Sequence, residues 1–156
     1  MWRPMIIKSV TNNNDIIEIW QEAFGDSVED IMYFINNLKH GYCIGLYGEN
    51  GIQSLMFLVD CTIDGCKGGY VYAACTKKEY RAKGSMTDLL SYAKDNCGDF
   101  LCLIPADEPL IDYYKKRGFV GEISIESIVF DESKEITDYL FEGCSLAKPI
   151  ALKNGG

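Results

Sequence analysis

The stretch Gly69–Ser91, GYVYAACTKKEYRAKGSMTDLLS, decides how the rest of the chain must be arranged. Val71 to Thr76 is a run of β-branched, aromatic and small apolar residues of strand length, and Met86, Leu89, Leu90 and Ala93 then recur at helical spacing. Between them a short cationic loop closes on Gly84, so the chain must reverse within a few residues. The first four amides of a helix have no internal partner, and the helix dipole adds partial positive charge there. Such an end attracts anions, phosphates above all. Arg81 and Lys83 stand just before Gly84, where the missing side chain lets a diphosphate approach the backbone. The dipole is worth only about 0.3–1 kcal/mol, so the two cations and the converging amides must supply most of any binding. A plain strand-to-helix turn carrying Arg, Lys and Gly for solubility and capping has the same local pattern, and the stretch alone leaves both readings open.

Upstream, Met5–Val10 reads as a first strand, with a polar turn over Thr11–Asp15 in which Asp15 is the expected helix cap. Ile16, Ile17, Trp20, Ala23 and Phe24 recur at helical intervals up to Gly25, and Ser27 followed by Asp30 opens a second helix through Val28, Ile31, Met32, Ile35 and Leu38. Strands from Gly41 to Tyr47 and from Ile52 to about Ile63 flank the hairpin signal Gly48-Glu49-Asn50-Gly51, and Asp64-Gly65 turns the chain toward Tyr70. Three consecutive antiparallel strands follow from these short connections.

Downstream, the helix ends near Asn96-Cys97-Gly98, and Phe100-Leu101-Cys102-Leu103-Ile104 is continuously apolar, as expected of a strand covered on both faces. Reached through a helix, it should lie parallel to Val71–Thr76 in a right-handed crossover. Asp107 is the expected cap of a helix carrying Leu110, Ile111, Tyr113 and Tyr114 on its apolar side, cations at its end and Gly118 as its stop. Ile123, Ile125 and Ile128 to Phe130 read as one further strand, Glu132 to Asp138 as a solvated loop, and Gly143 to Ile150 as a closing strand.

The 156 residues suit one domain, and 47% hydrophobic with 24% charged residues is ordinary for a soluble globular protein. No apolar run is long enough to cross a bilayer and the start MWRPMIIKSV lacks a signal-peptide core, so the expected compartment is the cytoplasm and no membrane partner is expected. A net charge of −8 disfavours unspecific nucleic-acid binding and favours approach of a cationic small molecule. Seven cysteines without a CxxC pair and a single histidine, His40, fit free buried thiols rather than a disulfide framework or a metal site; Cys61 and Cys66 could face each other across the turn between them.

Two parallel strands joined by a helix, a phosphate-seeking loop before that helix and a tyrosine-bearing helix after the second strand resemble the GNAT superfamily of acyl-CoA-dependent N-acetyltransferases. The family's loop pattern is Arg or Gln, two residues, Gly, one residue, then Gly or Ala; here it reads Arg81-Ala82-Lys83-Gly84-Ser85-Met86. Tyr80 stands in its usual place before the arginine, and Asp112–Phe119, DYYKKRGF, is similar to the family's FYEKLGF segment, with Tyr114 at the tyrosine. The resemblance spans about Tyr70 to Phe119. It departs at Met86, where a small residue is usual, at Lys78, where many members have proline, and at Asp107, where many have a cofactor-contacting asparagine.

The resemblance implies a single GNAT-like domain over residues 1–156 of α/β (α+β) class: a mixed, mostly antiparallel sheet of six to seven strands flanked by about four helices, with one parallel pair forming the cofactor cleft. It implies acetyl-CoA as cosubstrate without a metal, its pantetheine arm bonding the backbone of Cys75 and Thr76 and its pyrophosphate resting on the amides of Arg81, Ala82, Lys83, Gly84, Ser85 and Met86. It implies an amine acceptor, small molecule or peptide, attacking the thioester directly in a ternary complex, with Tyr114 as general acid; a homodimer is compatible with it. By pattern alone Tyr113 and Tyr114 read first as core aromatics of an amphipathic helix, and the resemblance reverses that reading for Tyr114. Glu126 is a candidate base, His40 a surface or helix-end cation, and Cys75 a packing residue, since nothing places a base beside it. The alternatives are a non-catalytic acyl-CoA-binding regulatory domain and a nucleotide-binding α/β domain; the second lacks both GxGxxG and GxxxxGK[ST] at the loop.

Overall fold

The computed structural model describes residues 5–142 and 149–154. The elements run β1 (Ile6–Ser9), α1 (Asn13–Phe24), α2 (Val28–Asn37), β2 (Gly41–Gly48), β3 (Gly51–Ile63), β4 (Cys66–Thr76), α3 (Ser85–Asn96), β5 (Leu101–Leu103), α4 (Glu108–Lys115), β6 (Gly121–Ile123), β7 (Val129–Phe130), α5 (Lys134–Phe141) and β8 (Ala151–Lys153). Among the described residues they build one eight-stranded sheet of order β1-β2-β3-β4-β5-β8-β6, with β7 added on β3, and every pairing is antiparallel except β4 with β5. The mixed architecture and its single parallel pair are those expected, with one strand and one helix more.

Period-two alternation along β3 divides the core. Leu55, Phe57, Val59 and Cys61 face α1, α2 and α5 with Ile19, Trp20, Phe34 and Ile136, while Met56 and Leu58 face α3 and α4 with Leu89, Leu90, Ala93 and Phe119. Each such side chain contributes about 1.5–3 kcal/mol when fully buried, so β3, covered on both faces, anchors the sheet.

Several local expectations give way to tertiary structure. Asn12, not Asp15, caps α1, its side chain accepting from the Asn14 amide at 2.9 Å, while Asp15 lies inside the helix and accepts the Tyr47 hydroxyl at 3.2 Å. The single strand expected over Ile123–Phe130 is broken by a 3-10 turn at Ile125–Ser127: β6 pairs with β8, and β7 crosses to β3. The expected loop at Glu132–Asp138 is mostly helix α5, capped by the Ser133 hydroxyl on the Ile136 amide at 3.2 Å and anchored by buried Ile136 and Leu140. Two apolar anchors one turn apart are too sparse a pattern to outweigh the surrounding charge. The closing strand expected at Gly143–Ile150 lies largely outside the described residues, and the strand that closes the sheet is Ala151–Lys153. Cys61 and Cys66 do not face each other, because the register pairs Ile63 with Cys66 and Cys61 with Gly68. The Cys61 Sγ instead lies 3.9 Å from that of Cys102.

Candidate active site

The parallel pair holds for only two residue pairs, Gly69 with Leu101 and Tyr70 with Cys102. Beyond them the strands part, because β4 bulges. Leu55 pairs with Cys75 and Phe57 with Tyr72, so Met56 alone faces both Ala73 and Ala74. Ala73 takes a left-handed backbone, φ 54°, a conformation that costs a non-glycine residue about 1–3 kcal/mol and concentrates at functional sites. The bulge also sets which amides face the gap. The Lys77 amide donates to the Gln53 carbonyl at 2.9 Å, and backbone groups alternate sides along a strand. Cys75 therefore turns its amide and carbonyl toward β3, and Thr76 turns its own toward the gap.

The loop after β4 is a cradle of donors. Ala82 at φ 62° and Gly84 at φ 85° are both left-handed with Lys83 between them, the alternation that gathers successive amides into an anion-binding nest. Gly84 precedes α3 without a side-chain cap, and the first helical bond is from the Asp88 amide to the Gly84 carbonyl at 3.0 Å. Among the described residues no amide from Ala82 to Thr87 donates to another protein group. Arg81 folds back, its Nε donating to the Thr76 carbonyl at 3.1 Å, so it braces the loop. Met86 is half-buried and packs with the α3 and α4 core, which takes its bulk away from the cradle. Lys78, where proline is usual, gives its amide to Glu22 of α1, and Asp107 caps α4 by accepting from the Leu110 amide at 3.1 Å.

A cavity of about 320 Å³ runs through the gap between β4 and β5. Tyr72, Ala73, Ala74, Leu103 and Ile104 line it together with Leu110 and Tyr114, which pack with the α3 and α4 core, and with Trp20 and Leu140, which pack with the α1 and α5 core; Phe24, Asp26, Ala106 and Glu142 complete the wall. The opening thus joins the two faces of the sheet. Tyr114 is 9% exposed, its ring packs edge-on to Tyr113 and Phe119, and its hydroxyl has no hydrogen-bond partner among the described residues. Burial, helped by Tyr113 and opposed by Arg117, pushes its phenol up to about 12. Arg117 holds the end of α4 in place, its guanidinium 3.5 Å over the Tyr113 ring and donating to the Thr87 hydroxyl of α3 at 3.0 Å.

The other candidates lie elsewhere. Glu126 is fully exposed on the 3-10 turn, accepts a hydrogen bond from the Ser124 hydroxyl that lowers its pKa, and does not line the cavity. His40 pairs with Asp131 at 3.2 Å, while Glu132 accepts the amides of Lys39 and His40, a clamp on the turn before β2. Cys75 is buried and its thiol is pushed up to about 12, chiefly by burial and against the pull of Arg81. Relative to an ordinary thiol near 8.5, that leaves about three-thousandfold less thiolate near neutral pH. Among the described cysteines, an aromatic disulfide reagent at pH 8 should therefore label exposed Cys66 first and half-buried Cys97 next, and reach Cys75 only in denaturant; equal rates at Cys66 and Cys75 would refute the packing role. Local pattern had no means of finding Tyr72, Asp26 and Glu142, which come to one cavity only through the sheet.

Among the described residues no helix is long and apolar enough to cross a membrane, and no group of three or more His, Cys, Asp and Glu side chains is placed to hold a metal ion. No family model matches the chain, and no curated protein matches it significantly. Solved structures do. An acetyltransferase of the GNAT family from Staphylococcus aureus superposes with TM-score 0.62 at 16% identity, over 97% of this chain and 98% of that one. A Bacillus subtilis acetyltransferase, solved in complex with CoA, superposes with TM-score 0.60 at 14% identity over 99% of each chain. A GCN5-related glucosamine N-acetyltransferase region of a fungal multi-domain β-N-acetylglucosaminidase gives TM-score 0.63 at 17% identity, over 76% of this chain and only 17% of that larger protein. Sheet order, splayed parallel pair and superposition over the whole chain agree: this protein has the fold of the GNAT acetyltransferases.

Proposed function

We propose that the chain is an acetyl-CoA-dependent N-acetyltransferase of the cytoplasm, transferring acetyl to a primary amine by direct attack in a ternary complex. The observation that carries this reading is the run of undonated amides from Ala82 to Thr87 at the end of β4, where β4 and β5 part around a cavity that holds the Tyr114 phenol. Those amides and Lys83 suit a diphosphate: each hydrogen bond to a charged group is worth about 1.5–3 kcal/mol, and preformed donors need no reorganisation. The open edge of β4 at Thr76 suits an amide-bearing arm laid along it as an added strand. When bound, acetyl-CoA supplies a thioester whose carbonyl carbon bonds to the amine nitrogen as the carbon–sulfur bond breaks and the sulfur leaves with the electron pair.

Tyr114 then serves as a hydrogen-bond donor to that sulfur. A phenol near 12 is a weaker acid than a thiol near 8.5, so handing over the proton completely costs about 5 kcal/mol at equilibrium. Its role is to stabilise developing charge, with solvent at the mouth exchanging the protons.

Titration with acetyl-CoA to about a thousand times Kd should stabilise the fold by roughly 4 kcal/mol, which for a chain of this size raises Tm by about 8–16 °C. Thiol release with an amine panel should accompany it. A flat titration overturns the reading; binding without release to any amine leaves a non-catalytic CoA-binding domain.

A further inference from the structure

Asp26 and Glu142, just after α1 and α5, line the same cavity as Tyr114, which packs with the α3 and α4 core, and take no part in the chemistry above. Asp26 follows the left-handed Gly25 that stops α1, and its Oδ2 accepts the Trp20 indole N–H at 2.7 Å, so the carboxylate is held in place. Glu142 follows the last turn of α5, its amide bonded to the Tyr139 carbonyl at 3.1 Å. Asp26 and Glu142 line the same cavity as Tyr72; burial raises the Tyr72 phenol first, and both carboxylates add to that rise. Neither is ion-paired among the described residues: Lys77 is taken by Glu18 at 3.5 Å and Lys134 by Asp138 at 3.0 Å.

Two exposed carboxylates without an ion-pair partner among the described residues, lining a cavity with Trp20, Phe24 and Tyr72, favour an ammonium group, through charge and through the ring faces. That ammonium cannot be the reacting nitrogen, which must be neutral to attack. The apolar walls at Tyr72, Ala73 and Leu140 fit a methylene chain between the two nitrogens. In the same cavity, nine-tenths-buried Tyr114 offers a hydroxyl that no described protein group uses.

We propose that the acceptor is a linear aliphatic amine bearing a second ammonium, a diamine or longer polyamine, whose distal ammonium sits between Asp26 and Glu142 while its near nitrogen reaches the gap between β4 and β5. This rests on the acyl-transfer reading and names the substrate class for it.

The test compares 1,5-diaminopentane with n-pentylamine, of equal length, in acetyl transfer, together with a fluorescence titration of Trp20 by the diamine without cofactor in a Trp2→Phe background. The diamine should be preferred about tenfold or more in kcat/KM, mainly through KM, with the preference shrinking as salt rises. Asp26→Asn with Glu142→Gln should bring the ratio to about one and abolish the saturable fluorescence change; asparagine still accepts the Trp20 indole, so the fold is kept. A ratio near one in the native protein, or a preference that survives the double substitution, overturns the proposal. Saturable diamine binding without transfer to any amine supports the cation site and sinks the acyl-transfer reading; equal transfer to both amines does the reverse.

Discussion

Gly84→Val is expected to weaken acetyl-CoA binding by ten- to a hundredfold while leaving the protein folded. At φ 85° glycine is the only residue without a steric penalty, and a Cβ placed there meets no protein atom within 4 Å. The fold therefore loses only the left-handed strain, about 1–2 kcal/mol, a Tm lower by roughly 2–8 °C. The ligand loses more. Either the loop relaxes and its amides cease to converge, or the side chain stands where a diphosphate would approach, and one lost bond to a charged group is worth about 1.5–3 kcal/mol. Calorimetric titration against the parent protein measures the change. An unaltered Kd in a folded variant would show that the cradle between Ala82 and Thr87 does not hold the cofactor.

Tyr114→Phe carries the largest expected effect on turnover, a loss of about a hundred- to thousandfold in kcat, with acetyl-CoA affinity within about twofold of the parent. Because the hydroxyl has no partner among the described residues, removing it leaves no orphaned group and the variant should melt no lower. The pH profile separates its role from that of the acceptor. Burial disfavours the phenolate, so the donor form persists up to about 12 and adds no falling limb below about pH 11. The acceptor must lose a proton, so kcat/KM should rise tenfold per pH unit until it flattens near the amine pKa, about 10. Turnover of the phenylalanine variant near the parent's, or a falling limb near pH 8, would remove Tyr114 from the reaction.

The sequence by itself determined the parts governed by near neighbours. Val71–Thr76 is a strand, Gly84 closes a cationic loop, Leu89, Leu90 and Ala93 mark a helix, and Phe100–Ile104 must run parallel to β4, because periodicity, turn chemistry and crossover handedness act over a few residues. Tyr114 was singled out by the resemblance of Asp112–Phe119 to the family segment, since by pattern alone it reads as a core aromatic.

Only the tertiary structure decided the site's interior. Whether Cys75 or Thr76 offers its amide to the gap depends on a register that slips where Ala73 and Ala74 oppose Met56, and that slip is fixed by packing on β3. The turn of Arg81 onto the Thr76 carbonyl and of Met86 into the core followed from space that neighbouring elements left. Asp26 and Glu142, 116 positions apart in the chain, line one cavity because α1 and α5 cover the same face of the sheet. Long-range burial outweighs local preference wherever the local signal is weak, and the proposed acceptor site is built almost wholly from such residues.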